Sequence, residues 1–186
     1  MRVSLRSAVQ TSVLAFGAVA VMAGTASAQV TVSLPDTSQT TLLTATVAEQ
    51  ARVTFPSGVS FTVADVANST ASGNASVNVS NIVLATASKQ LKISLQANAA
   101  AFTAPVSGAT TWSASDVTWG AGTWTNAAGA AGTLSNSAYN EVATCAANAA
   151  SCDTSSLVFT LGAKSTVQRS GNHTLVVRWR VEAIGS

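Results

Sequence analysis

The sequence has little charge and few of the residue types that do chemistry. Only 9% of its residues are charged, and it contains one histidine, His173, and two cysteines. No G-x-S-x-G motif accompanies the histidine, and the seven acidic residues show no spacing typical of paired acid–base groups. One histidine and two cysteines do not form a zinc-binding pattern. We therefore predict that the protein is not an enzyme, has no cofactor and binds no metal, although a calcium loop around Asp65 or Asp116 stays open.

The N-terminus has the pattern of a secretory signal peptide. Arg2 and Arg6 precede an apolar run from residue 13 to residue 23, and the segment ends in Ala26-Ser27-Ala28. The run is shorter than the roughly 20 residues that span a bilayer, so a membrane anchor is the weaker alternative. We expect cleavage after Ala28, no stable membrane span afterwards, and a secreted, extracellular or cell-surface location. In a Gram-negative organism this implies passage through the periplasm.

Signal cleavage changes the charge balance of the protein. Two of the nine basic residues and none of the seven acidic residues lie in residues 1–28, so the remainder carries no net charge. A neutral chain with scattered charges lacks the basic surface that nucleic-acid binding requires. We predict no nucleic-acid partner and one domain over residues 29–186.

Apolar residues alternate with polar ones through most of the chain, which is the pattern of strands with one buried face. In the last such segment the predicted inward residues are Leu175, Val177, Trp179, Val181 and Ala183. A change of phase between Val79 and Ile82 predicts a β-bulge near Asn81. The other predicted strands span residues 30–34, 42–47, 51–55, 59–63, 75–84, 91–95, 117–119, 123–125, 140–143 and 157–161. We predict an all-β fold, a two-sheet antiparallel sandwich of the immunoglobulin-like kind, with a jelly roll as the alternative.

The two cysteines enclose a short loop, "CAANAASC". In the oxidising compartment that the signal predicts, Cys145 and Cys152 are expected to form a disulfide. Their spacing is not C-x-x-C, so a structural role is favoured over a redox role.

Three tryptophans lie close together in the sequence, at Trp112, Trp119 and Trp124. If Ala121-Gly122 forms a two-residue turn, Trp119 and Trp124 lie opposite each other on a hairpin. They would then either pack on the domain or, with Trp112, form a platform for carbohydrate. Packing is the favoured interpretation. Arg178 and Arg180 flank Trp179 on the opposite face, where they either contact a partner or prevent wrong strand pairing.

The final strand, "NHTLVVRWRVEAI", resembles the last strand of bacterial surface β-sandwiches, including WxL-type cell-wall domains. Its Trp179 matches their tryptophan, Val177 and Val181 stand for leucines, and His173 takes the place of a tyrosine. In size, signal and Thr/Ala-rich strands the chain is also similar to fimbrial or matrix-fibre subunits. That resemblance implies self-association or association with other surface proteins.

The segment "QVTVSLP", residues 29–35, is a candidate donor strand. Val30, Val32 and Leu34 share one face, and a free terminal strand with an apolar face is suited to β-strand addition. The alternative is an ordinary first strand within the protein's own sheet. We therefore expect an exported structural or adhesive protein, with a secreted carbohydrate- or surface-binding module as the alternative.

Overall fold

The computed structural model describes residues 29–68 and 70–186. The chain divides into two units at Thr44 and Ala45, and all the strands belong to the second unit. The strands are β1 (Gln50–Thr54), β2 (Ala71–Val83), β3 (Gln90–Ala97), β4 (Val117–Trp119), β5 (Ala127–Gly129), β6 (Gly132–Thr133), β7 (Asn140–Cys145), β8 (Cys152–Leu161) and β9 (Val177–Ile184), with a 3₁₀ turn at Ala114–Asp116. The described part of the chain contains no α-helix, and hence none long and apolar enough to cross a membrane.

The strands form two antiparallel sheets. The first has the order β1-β2-β8-β4-β6 and the second has the order β5-β7-β3-β9. The predicted all-β, two-sheet antiparallel sandwich is therefore confirmed. The immunoglobulin-like connectivity stays a prediction.

The core lies between the sheets and follows the predicted alternation in β3, whereas in β9 the predicted inward residues Val177 and Ala183 are exposed. In β3, Leu91, Ile93 and Leu95 are all buried, and the residue that faces Leu95 across the ladder with β9 is Trp179. A fully buried leucine or isoleucine side chain contributes about 1.5–3 kcal/mol. Trp179 and Val181 of β9 are only half-buried, because β9 is the last strand of its sheet and has no neighbour on its other side.

The predicted bulge in β2 is confirmed. Arg52 of β1 faces Ser80, whereas Gln50 faces Val83, so β2 contains one extra residue between these two pairs. Asn81 lies there with a φ of 52°. Asparagine tolerates this left-handed conformation better than most residues, and it allows the strand to shift its phase.

The predicted disulfide between Cys145 and Cys152 is also present. Cys145 ends β7 in the second sheet and Cys152 begins β8 in the first, with their Cα atoms 5.8 Å apart. Both side chains are buried in the core. The bond therefore joins the two sheets covalently.

Four predicted strands are wrong. Residues 30–34, 42–47 and 59–63 form no strand, and residues 123–125 contain only an isolated bridge between Thr125 and Asp153. Alternation specifies an apolar face, but a strand also requires a neighbouring backbone edge with which to pair. None of these segments forms a ladder with a described strand.

Candidate functional site

Two of the three tryptophans proposed as a binding platform are buried in the core. Trp112 is 4% exposed and Trp119 is 3% exposed. Their indole N–H groups are satisfied internally, because Trp112 donates to the Gly162 carbonyl at 2.9 Å and Trp119 to the Ala130 carbonyl at 3.0 Å. Neither ring presents a face to solvent on which a sugar could stack.

The predicted hairpin between Trp119 and Trp124 is also absent. Trp119 lies opposite Gly132 in the β4–β6 ladder, where the missing side chain leaves room for the indole. Trp124 is half-buried and donates to the Ala121 carbonyl at 3.0 Å. Residues 120–124 form no strand or turn, and the Gly120 N–H donates to the Val158 carbonyl of β8.

His173 connects two loops. Its Nε2 lies 3.1 Å from the Arg169 carbonyl, and its Nδ1 lies 2.7 Å from the Thr111 hydroxyl. A carbonyl only accepts, so Nε2 donates to the Arg169 carbonyl, and Nδ1 forms a second hydrogen bond with the Thr111 hydroxyl. The ring also packs edge-on against Trp112, with centroids 5.2 Å apart. Both ring nitrogens are thus used to position residues 169–174.

Neither aspartate considered for calcium belongs to a metal cluster. Asp65 accepts from the Ala67 and Asn68 N–H groups and from the Asn68 side chain, and the side-chain bond is the main reason that its pKa is lowered. Asp116 accepts from Ser113 N–H and pairs with the Lys164 ammonium at 2.8 Å. Within residues 29–68 and 70–186, no three His, Cys, Asp or Glu side chains are placed to hold a metal ion.

Of the two arginines beside Trp179, Arg180 interacts with a residue of its own strand and with Tyr139, which precedes β7. The Arg180 guanidinium lies 4.5 Å from the centre of the Tyr139 ring and 3.0 Å from the Glu182 carboxylate. Lys92 pairs with the same carboxylate at 2.8 Å. Arg178 is exposed. Lys92 and Arg180 thus share one carboxylate.

An apolar groove opens between the two sheets, and we call it the edge groove. Its volume is about 820 Å³. Its floor includes Phe159 and Leu161 of the first sheet and Trp112, and Trp179 of β9 contributes from the second sheet. One wall is formed by residues 169–177, which lead into β9, and the other by residues 56–63 and Val66.

The second wall has unusual backbone bonding. We call residues 56–66 the wall segment. Val59, Phe61 and Val63 are half-buried and pack against the core, while Ser60 and Thr62 between them are exposed. No backbone hydrogen bond joins residues 56–65 to any other described residue, and the segment is held at its end by Lys164 N–H donating to the Val66 carbonyl. The wall segment is thus packed like a strand without being paired like one.

The wall segment lies beside an unpaired strand edge. β2 pairs with β8 from Ala71 to Val79, but on its other side it pairs with β1 only from Asn78 to Val83. Residues 71–77 of β2 therefore have a free backbone edge on the side of β1. A Cβ added at Gly73 would lie 2.5 Å from Val59 Cγ1 and 2.7 Å from the Ser60 carbonyl oxygen, so the wall segment lies against β2 at Gly73, on the face to which that Cβ would point.

The predicted donor strand belongs to the other unit and is described by itself. Residues 29–44 contain no strand. Val30, Val32 and Leu34 are 61%, 37% and 87% exposed. The Asp36 carboxylate closes a turn directly after them, accepting from the Ser38 N–H and hydroxyl and from the Gln39 side chain. The predicted signal peptide, residues 1–28, lies outside the described residues.

Known proteins give no guide to this site. Neither the protein-family models, the curated proteins nor the solved structures contain a match to this chain.

Sequence reasoning did not find the edge groove. Its lining comes from segments far apart in the chain, including residues 56–66, 102–117, 159–161 and 167–179. The available signal was the alternation of Val59, Phe61 and Val63 directly after Pro56 and Gly58. Proline has no N–H to donate, so this combination indicates an apolar face on a segment with interrupted pairing.

Proposed function

We propose that this protein is an exported structural or adhesive subunit that assembles by β-strand donation, as a pilus or extracellular matrix fibre subunit would. The observation that carries the proposal is the edge groove beside the free edge of β2, in a chain whose N-terminal segment has three exposed apolar residues on one face. The first feature is what an acceptor of a strand needs, and the second is what a donor needs.

Strand donation would stabilise both the free edge of β2 and the apolar side chains of the N-terminal segment. The free edge of β2 gains a ladder of backbone hydrogen bonds, which removes an edge that would otherwise promote irregular association. The exposed side chains of Val30, Val32 and Leu34 gain burial, which is worth about 1.5–3 kcal/mol for each valine or leucine that is fully buried.

Export is the second part of the proposal. It rests on the predicted signal peptide and on the disulfide, because such bonds persist in oxidising compartments. The partner in assembly is a second copy of this chain or another surface protein with the same kind of acceptor groove and donor segment.

Carbohydrate binding is the weaker alternative. The predicted platform needs exposed rings, but Trp112 and Trp119 are buried and only Trp124 is half-buried. No arrangement of the described residues favours this function over assembly.

The proposal is tested by electron microscopy and sizing chromatography of two forms of the protein, one beginning at Gln29 and one at Asp36. We expect fibres or large oligomers from the first form and folded monomers from the second. A stable monomer from the first form together with an unfolded second form would mean that residues 29–35 belong to their own sheet, and would contradict the proposal.

A further inference from the structure

Two segments of this chain share one residue pattern. The wall segment contains "VSFTV" at residues 59–63, and the N-terminal segment contains "VTVSL" at residues 30–34. In each, apolar residues occupy the first, third and fifth positions and hydroxyl residues occupy the second and fourth. In the wall segment the apolar residues face the core and the hydroxyl residues face solvent.

The match extends into the turn that follows each segment. An aspartate stands two residues after the last apolar residue in both cases, Asp65 and Asp36. Asp65 accepts from the N–H of Ala67 at 2.8 Å and from the side-chain amide of Asn68 at 3.1 Å. Asp36 accepts from the N–H of Ser38 and the side-chain amide of Gln39, both at 2.9 Å. The two segments therefore end in turns that are bonded in the same way.

We propose that residues 30–39 of one copy replace residues 59–68 of another, so that the wall segment is an internal placeholder which the donated strand displaces from the edge groove. This inference rests on the proposed function and adds to it the identity of the displaced segment and the register of the donor. Val30, Val32 and Leu34 take the places of Val59, Phe61 and Val63.

The register follows from the position of the wall segment. Thr54 of β1 faces Asn78 of β2. Further along the chain, Val59 and the Ser60 carbonyl lie against β2 at Gly73, on the face to which a Cβ there would point. No backbone hydrogen bond among the described residues joins the wall segment to β2. A donor in the same place puts Val30 beside Gly73.

The exchange favours the donor because of the backbone. Pro56 and Gly58 lie between β1 and residues 59–63 and interrupt the strand there, because proline cannot donate to a ladder and glycine weakens a strand. Residues 29–34 have no such interruption before Pro35, so each of them can pair with an unpaired strand edge. The donor therefore offers the same side-chain pattern together with the ladder that the wall segment lacks.

The test is a disulfide between two copies. Val30→Cys is introduced into one tagged form of the chain beginning at Gln29 and Gly73→Cys into a second, and the two are mixed under oxidising conditions. The native cysteines are already paired with each other, so they do not compete. We expect a covalent dimer on a non-reducing gel that contains both tags.

Two matched controls test the register of the donor and its position on β2. Thr31→Cys mixed with Gly73→Cys tests the neighbouring residue, which points to the opposite face. Val30→Cys mixed with Gly120→Cys tests another glycine, at which an added Cβ meets no atom within 4 Å. We expect a several-fold lower yield of covalent dimer from each.

A second variant tests displacement without changing Gly73. Val63→Cys places a thiol at a half-buried position of the wall segment. If the wall segment leaves the groove, this thiol reacts with maleimide several-fold faster in the assembled protein than in the form beginning at Asp36. Equal or slower reaction in the assembly would overturn the inference.

The outcomes separate this inference from the proposed function. Fibres that form normally, with no preference of Val30→Cys for Gly73→Cys, would overturn the register and leave strand donation standing. A parent protein that remains monomeric would overturn both.

Discussion

Phe55 and Trp179 stack on each other, with ring centroids 4.5 Å apart and planes inclined by 15°. Phe55 directly follows β1 in the first sheet, and Trp179 lies in β9 of the second. The pair connects the edge strands of the two sheets at the side of the sandwich where the edge groove opens. It therefore holds together the part of the core that has no further strand to cover it.

We expect that removing this stack weakens the fold. Trp179→Ala should lower the free energy of unfolding by about 2 kcal/mol, less than the 3–5 kcal/mol of a fully buried aromatic residue because Trp179 is half-buried. A double-mutant cycle with Phe55→Ala should give a coupling of about 0.5–1.5 kcal/mol. Urea denaturation measures both quantities. Val176→Ala, at a valine that is 65% exposed, should change stability by about 0.5 kcal/mol or less; a coupling near zero would contradict the role of the stack.

Gly132 should tolerate no side chain. A Cβ at this position would overlap the indole ring of Trp119, which is itself buried and cannot move into solvent. Gly132→Ala should therefore cost about 1–3 kcal/mol of stability, as overpacking of a core does. Gly120→Ala is the matched control, because its Cβ meets no neighbour. Equal stability of the two variants in urea would show that Trp119 is not packed as described.

The bond between Cys145 and Cys152 should contribute measurably to stability. In the chain-entropy model, closing so short a loop contributes roughly 2–2.5 kcal/mol. The double variant Cys145→Ala and Cys152→Ala should unfold at a correspondingly lower urea concentration. Reductant should shift the unfolding midpoint of the parent protein and leave that of the double variant unchanged. A parent midpoint that is insensitive to reductant would contradict this account.

Acid should weaken the domain through Glu49. The Lys89 ammonium and the Ala85 N–H both donate to this carboxylate and hold its pKa below the ordinary value of 4.5. A lowered pKa means that the stabilisation is complete above about pH 4.5 and is lost as the pH falls through the lowered pKa. Glu49→Gln should thus lose less stability between pH 7 and pH 3 than the parent does, as measured by urea midpoints. A larger loss in the variant would reverse the predicted sign.

Assembly should depend on one face of the N-terminal segment. Val32→Asp places a charge at the centre of the predicted apolar face, and burying an unpaired charge is strongly unfavourable. We expect this variant to remain monomeric in sizing chromatography. Thr31→Asp places the same charge on the opposite face and should still assemble. If both variants assemble, Val30, Val32 and Leu34 are not the donor face.

The sequence predicted the longer strands but missed β5 and β6, the short strands that pair with β7 and β4. Leu91, Ile93 and Leu95 alternate as expected, and the reversal of phase at Asn81 was correctly assigned to a bulge. The same pattern was misleading at residues 59–63, where the apolar face is real but the ladder is missing. Period-two alternation records which side chains are buried, whereas hydrogen-bond pairing depends on an edge contributed by distant residues. The edge groove could not be predicted for that reason.

The burial of Trp112 and Trp119 likewise could not be predicted from the residues beside them in the sequence. A tryptophan beside glycine and serine suits an exposed loop as well as a core position. What decides between them is whether a distant carbonyl is placed to accept from the indole N–H, as Gly162 does for Trp112 at 2.9 Å.

The turn between β2 and β3 is hydrogen-bonded to residues near both chain ends of the sandwich domain. Glu49, just before β1, accepts from Ala85 and Lys89, and Ser88 donates to the Ser186 carbonyl at 2.6 Å. The first and last strands of the domain therefore have their outer termini at the same end of the sandwich. A short linker from residue 186 to residue 49 would close the domain into a ring, and the ring could be opened at another exposed loop without breaking a strand. Such a circular permutant would keep the edge groove while moving the N-terminal segment to a site of choice.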